Sequence, residues 1–164
     1  MGEMTSLTSE LSKAFPGAIV EVVDFRDETT LVVGAAEAVD ILRNLKEEHG
    51  FDYLVDITSA NWPDENRIDV LWLVRNMKTR VQLRLQAPLP VSDPSIGSVT
   101  DLWPDANWLE REVYDLMGVV FLGHPDLRRI MLPEDFEGFP LRKEYPMEGY
   151  AEWRNYLPAE GDDE

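Results

Sequence analysis

The sequence contains no cysteine among its 164 residues and only two histidines. The absence of cysteine excludes disulfide bonds, thiolate zinc sites, iron–sulfur ligation by this chain and cysteine nucleophiles. Basic residues are also scarce, with 15 Lys and Arg against 32 Asp and Glu, for a formal net charge of -17. Binding to nucleic acid or to anionic lipid needs a basic face that neutralises phosphate groups. The composition therefore argues against both kinds of partner.

Long apolar segments and the common catalytic motifs are missing as well. No apolar run approaches the ~20 residues that a membrane-spanning helix needs. Residues 1–20 lack the basic and apolar regions of a signal peptide. The sequence also has no G-x-G-x-x-G, G-x-x-x-x-G-K-[ST], G-x-S-x-G or H-E-x-x-H motif. We expect a soluble intracellular chain that has no direct membrane span and meets a membrane only through its partners.

The spacing of apolar residues predicts one α+β domain over residues 1–122. Helical periodicity in three segments alternates with runs rich in β-branched residues, which predict strands. The predicted helices cover 7–15, 35–49 and 105–117, and the predicted strands cover 18–25, 29–33, 52–60, 67–75 and 79–86. The order α-β-β-α-β-β-β-α favours a two-layer domain with a mixed or antiparallel sheet and helices on one face.

Three prolines predict a break after the last of these strands. Pro88, Pro90 and Pro94 cannot donate a backbone hydrogen bond, so a helix or a central strand is disfavoured there. Residues 88–97 are therefore expected to be irregular. A short helix over 98–103 is expected to follow, ahead of the helix at 105–117.

The C-terminal segment, residues 123–159, combines breakers of regular structure with many aromatic residues. It holds five prolines and three glycines, a spacing that excludes a long helix or strand. Residues 136–156 nevertheless contain six of the chain's 16 aromatic residues, and a disordered tail is usually poor in them. We interpret this as an extended segment that docks on another protein, the alternative being that it wraps its own domain. Residues 160–164 are expected to be disordered.

A dense cluster of charged residues lies just before and within this segment. It begins with Glu110, Arg111, Glu112 and Asp115 and continues with His124, Asp126, Arg128 and Arg129. One interpretation makes Glu112, Asp115 and His124 a metal or acid–base site. The other is a structural ion-pair network that ties the helix to the following loop, with Arg111 and Asp115 four residues apart on one helix face. Interleaved opposite charges favour the structural network.

Residues 107–146 resemble a known family, the C subunit of the proton-pumping NADH–quinone oxidoreductase, respiratory complex I. Its signature consists of an E-R-E triplet, then an acid and two apolar residues, then His or Lys, then Arg and a last apolar residue. The chain meets it at Glu110-Arg111-Glu112, Asp115, Leu116-Met117, His124, Arg128 and Ile130. The stretches Leu132-Pro133, Pro140-Leu141-Arg142-Lys143 and Tyr145-Pro146 also match.

The resemblance implies a cofactor-free member of the hydrophilic arm, with no catalytic residue, no bound flavin, no iron–sulfur cluster and no metal. FMN, the clusters, NADH and quinone would belong to the rest of the complex, on the cytoplasmic side of the bacterial inner membrane. The C-terminal segment would pack on the D and B subunits through Phe136, Phe139, Arg142, Lys143, Tyr145, Tyr150, Trp153 and Tyr156. The structural network would consist of Glu110, Arg111, Glu112, Asp115, His124, Arg128 and Arg129.

Three alternatives stay open at the level of the sequence. Related subunits occur in membrane-bound hydrogenases and in photosynthetic complexes that do not oxidise NADH. The chain could also be a free-standing acidic enzyme that uses Glu112, Asp115 and His124. A third possibility is a stand-alone cytosolic adaptor that joins no membrane complex.

Overall fold

The computed structural model describes residues 2–26 and 28–149, with the side chains of residues 6–26 and 28–149. A five-stranded sheet has the strand order β1-β2-β5-β4-β3. These strands are β1 (Ile19–Phe25), β2 (Glu28–Val33), β3 (Tyr53–Trp62), β4 (Arg67–Arg75) and β5 (Gln82–Pro90). The helices are α1 (Gly2–Ala14), α2 (Ala38–Glu47) and α3 (Ala106–Met117). The expected α+β class and the order of its elements are confirmed.

The sheet is mixed, because two antiparallel hairpins meet along one parallel pair of strands. β1 pairs with β2, and β3, β4 and β5 form an antiparallel meander. β2 then pairs in parallel with β5 through Thr30–Arg84, Leu31–Leu85 and Val32–Gln86. The connection between these two strands contains α2, β3 and β4, which is consistent with the long crossover that a parallel pair needs.

One face of the sheet is buried and forms half of the hydrophobic core. Val70, Trp72 and Val74 of β4 and Leu83 and Leu85 of β5 are buried, and the residues between them are exposed or half-buried. The apolar stripes of α1 and α2 supply the other half of this core with Leu11, Ile41, Leu42 and Leu45. The period-2 pattern that the sequence shows in β5 therefore reports a sheet with one covered face.

The expectation that residues 88–97 are irregular is wrong at both ends, because β5 extends to Pro90 and Ser95–Gly97 form a further short strand. β5 continues through Pro88 and Pro90, which pair in register with Asp69 and Arg67 of β4. β2 pairs with β5 only as far as Gln86, so among the described strands β5 has a neighbour on one side only at both prolines. A missing N–H group is tolerated at such an edge position.

The short helix expected at 98–103 is absent from the structure, which has turns there. Val99, Leu102 and Trp103 are buried in the core, so the apolar spacing reflects a buried loop. This loop follows β6 (Ser95–Gly97), which pairs in parallel with β7 (Val120–Leu122) in a small second sheet. Ser98 and Val99 of this loop bind Glu110 of α3. Across the described residues, no helix is long and apolar enough to cross a membrane.

Candidate functional site

The charged cluster lies on α3 and on the loop that follows β7. α3 buries Ala106, Val113 and Met117 against the domain. It ends at Gly118, which has a positive φ of 72° and donates its N–H to the carbonyl of Tyr114 at 2.9 Å. A Cβ atom at this position would lie only 2.5–2.7 Å from ring atoms of Phe139. The end of α3 is thus shaped so that the C-terminal segment can pack directly on it.

Asp115 is the centre of the cluster, and its carboxylate is completely buried. Oδ1 accepts a hydrogen bond from Arg129 at 2.7 Å. Oδ2 accepts three more from the backbone N–H groups of Ile130, Met131 and Leu132 at 3.0, 2.7 and 3.0 Å. Burial alone would raise the pKa of Asp115, but Arg129 and these N–H groups favour the carboxylate, so the pKa lies below its usual value.

Arg129 extends the network from Asp115 into the C-terminal segment. Its guanidinium donates to the carbonyl of Asp115 at 3.0 Å and to the carbonyls of Phe136 and Gly138 at 3.0 and 3.2 Å. The same group lies 5.8 and 5.6 Å from the ring centroids of Phe136 and Phe139. The planar guanidinium therefore joins one buried carboxylate, three carbonyls and two aromatic rings.

Arg111 is buried, but the expected pairing of Arg111 with Asp115 along the helix is wrong. Arg111 donates instead to the backbone carbonyls of Arg128 and Arg129 at 3.1 and 3.2 Å, and it lies 5.1 Å from the ring centroid of Trp108. Neighbouring residues of α3 thus bind the same loop from two sides, Asp115 through N–H groups and Arg111 through carbonyls. A network that ties α3 to the following loop stays a hypothesis, and the contacts of Arg111 and Asp115 with residues 128–132 support it.

Glu110 is also completely buried, but it faces the loop that precedes α3. Its Oε2 accepts a hydrogen bond from the Ser98 hydroxyl and its Oε1 one from the Val99 N–H, both at 2.7 Å. Burial raises the pKa of Glu110 to about 7, and these two hydrogen bonds oppose the rise only in part. Glu110 therefore changes its protonation state near neutral pH.

We expect a Glu110→Gln variant to lose part of the pH dependence of folding. Between pH 4.5, the ordinary value for glutamate, and about pH 7, the folded state holds a proton that the unfolded chain has lost. The free energy of unfolding therefore falls as the pH rises through this window, by on the order of 3 kcal/mol in total. Denaturant unfolding of the isolated chain at pH 5 and pH 7 measures this difference.

The amide that replaces the carboxylate in this variant can still accept from Val99 and donate to Ser98, so stability at pH 7 should be kept or increased. Glu110→Ala is the matched comparison, because it leaves the Val99 N–H without an acceptor. The alanine variant should be less stable at both pH values, by about 1–3 kcal/mol. An unchanged pH profile in Glu110→Gln would contradict the assignment.

Among the described residues, no hydrogen bond or ion pair joins Glu112, Asp115 and His124 of the alternative acid–base site to one another. His124 contacts the carbonyl of Asn107 through Nε2 at 3.2 Å and accepts from the Asp126 N–H through Nδ1 at 3.0 Å. Arg128 forms an exposed ion pair with Asp126 at 3.0 Å. Glu112 is half-buried and makes no hydrogen bond or ion pair with any described residue. In the described ranges no group of three His, Asp or Glu side chains is placed to hold a metal.

The first part of the C-terminal segment lies on its own domain. The N–H of Leu141 donates to the carbonyl of Leu116 at 3.1 Å, and Arg142 Nε donates to the carbonyl of Met117 at 2.8 Å. Asn61 of β3 donates to Glu144 at 3.2 Å. The two bonds to α3 satisfy carbonyls in its last turn, which have no partner within the helix.

The large side chains of this segment differ in their exposure. Phe136, Phe139 and Tyr145 are half-buried, and the rings of Phe136 and Tyr145 stack at 6.1 Å. Lys143, Leu141 and Met147 are exposed. Tyr150, Trp153 and Tyr156 lie outside the described residues. Part of the aromatic surface is thus covered within the chain, and docking of the rest on a partner stays a prediction.

Sequence reasoning missed Ser98 and Asn61, which bind Glu110 and Glu144. Both lie far from their partners in the sequence, in segments that give no motif. The sequence gives one weak indication for Ser98, because its hydroxyl stands next to the apolar Val99 and can donate a hydrogen bond to a buried acceptor. Chemically, the cluster consists of buried carboxylates and of guanidinium groups. Most of their hydrogen bonds are made to backbone N–H and carbonyl groups.

Three comparisons place the chain among known proteins. It matches the family described as "Respiratory-chain NADH dehydrogenase, 30 Kd subunit" over residues 31–151. It is 42% identical over 151 residues to the C subunit of the NADH-quinone oxidoreductase of Geobacter sulfurreducens, covering 91% of this chain and 93% of that relative. The structure is similar to the trypsin-resistant fragment (1-134) of Nqo5, at 30% identity and a TM-score of 0.65, over 77% of this chain and 100% of the fragment.

A fourth likeness concerns the fold alone. A chain of the membrane-bound sulfane sulfur reductase, an archaeal respiratory membrane complex, superposes with a TM-score of 0.79 at 24% identity. The match covers 99% of this chain and 96% of that one. The fold of this chain therefore also occurs in a chain of that archaeal respiratory membrane complex.

Proposed function

Because the chain belongs to the family of the 30 kDa subunit of respiratory-chain NADH dehydrogenase, we propose that it is the C subunit of a proton-translocating NADH–quinone oxidoreductase. It takes part in electron transfer from NADH to quinone as one component of the peripheral arm. The observation that carries the proposal is the 42% identity to such a subunit along 91% of the chain.

Within that complex we propose a structural role without catalysis. In this proposal the polar groups of the signature stabilise the fold of the chain. The buried carboxylate of Asp115 has its two oxygens occupied by Arg129 and three N–H groups. Glu110 is enclosed by Ser98 and Val99. Groups so placed have no free access to a substrate, which supports a role in positioning the C-terminal segment.

We propose that residues 123–159 form the docking segment, with the D and B subunits as the neighbours. The exposed side chains of Leu141, Lys143 and Met147 extend from a segment anchored on α3. A pre-ordered segment loses less conformational entropy on docking than a flexible one. Tyr150, Trp153 and Tyr156 continue the same interface in this proposal.

The same proposal assigns no cofactor to this chain and locates it on the cytoplasmic side of the bacterial inner membrane, held there by the complex. FMN, the iron–sulfur clusters and the quinone site are assigned to other subunits. The lack of cysteine supports the absence of a cluster bound by thiolates.

Native size separation of solubilised membranes tests the proposed function. We expect this chain to migrate with NADH–quinone reductase activity in a very large particle, together with the D and B subunits. The purified isolated chain should show no flavin absorbance and should retain no stoichiometric metal after dialysis. A chain found free of the membrane fraction, or with a bound chromophore, would contradict the proposal and favour the stand-alone adaptor or enzyme.

A further inference from the structure

Strand β1 exposes four large apolar side chains, more than any other strand of the five-stranded sheet. Val20 is 70% exposed, Val22 44%, Val23 39% and Phe25 66%. Natural edge strands usually carry charges, prolines or bulges, because an apolar edge invites pairing with another chain. β1 has a register irregularity between Ile19 and Glu21 and two acidic residues, but its apolar side chains stay exposed beside them.

Val22 lies opposite Leu31 and Val23 opposite Thr30 of β2, so these side chains are divided between the two faces of the strand. Exposed apolar side chains on both faces of one edge strand are what an added strand would cover.

The backbone of β1 is open along one edge. The strand pairs with β2, and within the described ranges no strand lies along its other edge. Its seven residues offer a ladder roughly 24 Å long. An extended peptide can add to such an edge through main-chain hydrogen bonds, while its side chains contact alternate residues on the two faces.

The charges beside this edge indicate the chemistry of its occupant. Glu21 is exposed and has no partner among the described residues, whereas Asp24 accepts only a neutral hydrogen bond from Thr29, at 2.6 Å. Glu28 is already neutralised by Arg84 at 2.6 Å. The one nearby base in the described part of this edge, Arg26, lies 5.1 Å from the ring centroid of Phe25. Lys or Arg placed opposite Glu21 and Asp24 would therefore complement the edge.

We propose that an extended segment of another subunit, apolar and carrying Lys or Arg, adds to β1 as a sixth strand. A second copy of this chain fits less well, because each copy has a net charge of -17 and two copies repel. β1 and β3 are the opposite edges of the sheet, four strand spacings or about 19 Å apart. The C-terminal segment reaches Asn61 of β3, so this interface is separate from the one formed by that segment.

Hydrogen exchange of β1 in the isolated chain and in the purified complex tests the added strand. The inference rests on the proposed function, since it needs the assembled particle. We expect the outward-facing amides of residues 19–25 to exchange at least roughly tenfold more slowly in the complex. Equal exchange in a complex that contains this chain would overturn the sixth strand alone. Failure to find the chain in any complex would instead contradict the proposed function.

A pair of charge variants at one position tests the basic character of the partner. Val23→Lys and Val23→Glu both remove the apolar side chain from an exposed site, but only lysine repels a basic partner. We expect the lysine variant to lower the amount of assembled complex roughly tenfold, and the glutamate variant much less. Equal losses, or a greater loss with glutamate, would overturn the assignment of Lys or Arg to the partner.

Val55 on β3 provides the matched control, because its exposure of 37% is close to that of Val23. We expect Val55→Lys to leave the amount of complex nearly unchanged, and all variants to melt close to the unmodified isolated chain. A loss with Val55→Lys equal to that with Val23→Lys would overturn a specific interface at β1. Concentration-dependent dimers of the unmodified chain, abolished by Val23→Lys, would overturn the proposed partner and show that a second copy occupies the edge.

Discussion

An Asp115→Ala variant is expected to lose most of the assembled complex, while each particle that still assembles keeps near-normal turnover. The substitution leaves the guanidinium of Arg129, whose side chain is 12% exposed, without its counter-ion and three backbone N–H groups without their acceptor. Breaking a buried pair in this way costs about 3–5 kcal/mol, a large share of the roughly 5–15 kcal/mol that typically stabilises a domain. Thermal melting of the isolated chain, the amount of complex on native gels and turnover per particle measure the three consequences.

Two variants on the same helix provide the controls. Glu112→Ala removes a half-buried carboxylate that has no partner among the described residues, so it should change stability by less than about 0.5 kcal/mol. The loss of stability in Arg111→Ala should lie between the losses in Asp115→Ala and Glu112→Ala. The carbonyls of Arg128 and Arg129 that lose a donor in this variant are neutral groups that water can also bind. Full assembly of Asp115→Ala with turnover abolished would show that Asp115 takes part directly in the chemistry.

The two buried carboxylates of α3 respond to pH in opposite senses. The pKa of Asp115 is lowered in the folded state, so its contribution to stability is present above the unfolded value of 3.8 and is lost as the pH falls through the folded value. The pKa of Glu110 is raised to about 7, so its cost appears as the pH rises above 4.5. Together they favour maximal stability in a mildly acidic range between these limits.

Most of the strands and helices that the sequence predicts correctly show a pattern that follows their own burial; β1 is the exception, because its β-branched run predicts a strand although its side chains are mostly exposed. In β5, Leu83 and Leu85 face the core and alternate with Arg84 and Gln86, so local periodicity is sufficient. The helix end at Gly50 is also local, because its φ of 70° allows the Phe51 N–H to reach the carbonyl of Leu45 at 3.0 Å. Periodicity fails where burial has another origin, as in the loop before α3, which is buried at Val99 and Trp103 without being helical.

The candidate site was predictable in some of its residues but not in its pairing, since Glu112 has no partner among the described residues and Ser98 gave no motif. Interleaved Glu, Arg and Asp at 110–115 indicate a network, and helical spacing suggests that Arg111 binds Asp115. The partner of Asp115 is Arg129, and its distance in the sequence carries no periodic signal because the intervening chain forms β7 and a loop. Likewise, proline is disfavoured in a strand that has neighbours on both sides. Only the sheet pairing shows that β5 has a single neighbouring strand at Pro88 and Pro90.

Truncation after Pro133 is expected to leave a folded domain that no longer joins the complex. The shortened chain keeps the N–H groups of residues 130–132 that bind Asp115, together with every described strand and helix of the domain. It loses the packing of Phe139 on Gly118 and the hydrogen bond from Arg142 to Met117. We therefore expect a domain that is less stable by a few kcal/mol, at about 0.5–1.5 kcal/mol for each lost hydrogen bond. The trypsin-resistant fragment (1-134) of Nqo5, which matches 77% of this chain, is consistent with a domain of this extent.

Truncation after Gly149 separates the two parts of the C-terminal segment. This longer chain keeps the described contacts of residues 136–145 with α3 and β3 and removes Tyr150, Trp153 and Tyr156. Each buried aromatic side chain covers roughly 150–250 Å² at about 25 cal/mol per Å², so a loss of several kcal/mol of docking energy is expected after the ordering cost. Circular dichroism and melting test folding, and co-purification with the D and B subunits tests docking.

If the chain cut after Gly149 assembles normally and the chain cut after Pro133 does not, the interface lies within residues 134–149. If the chain cut after Pro133 unfolds outright, the segment belongs to the core of its own domain, and its assignment as a docking segment is wrong.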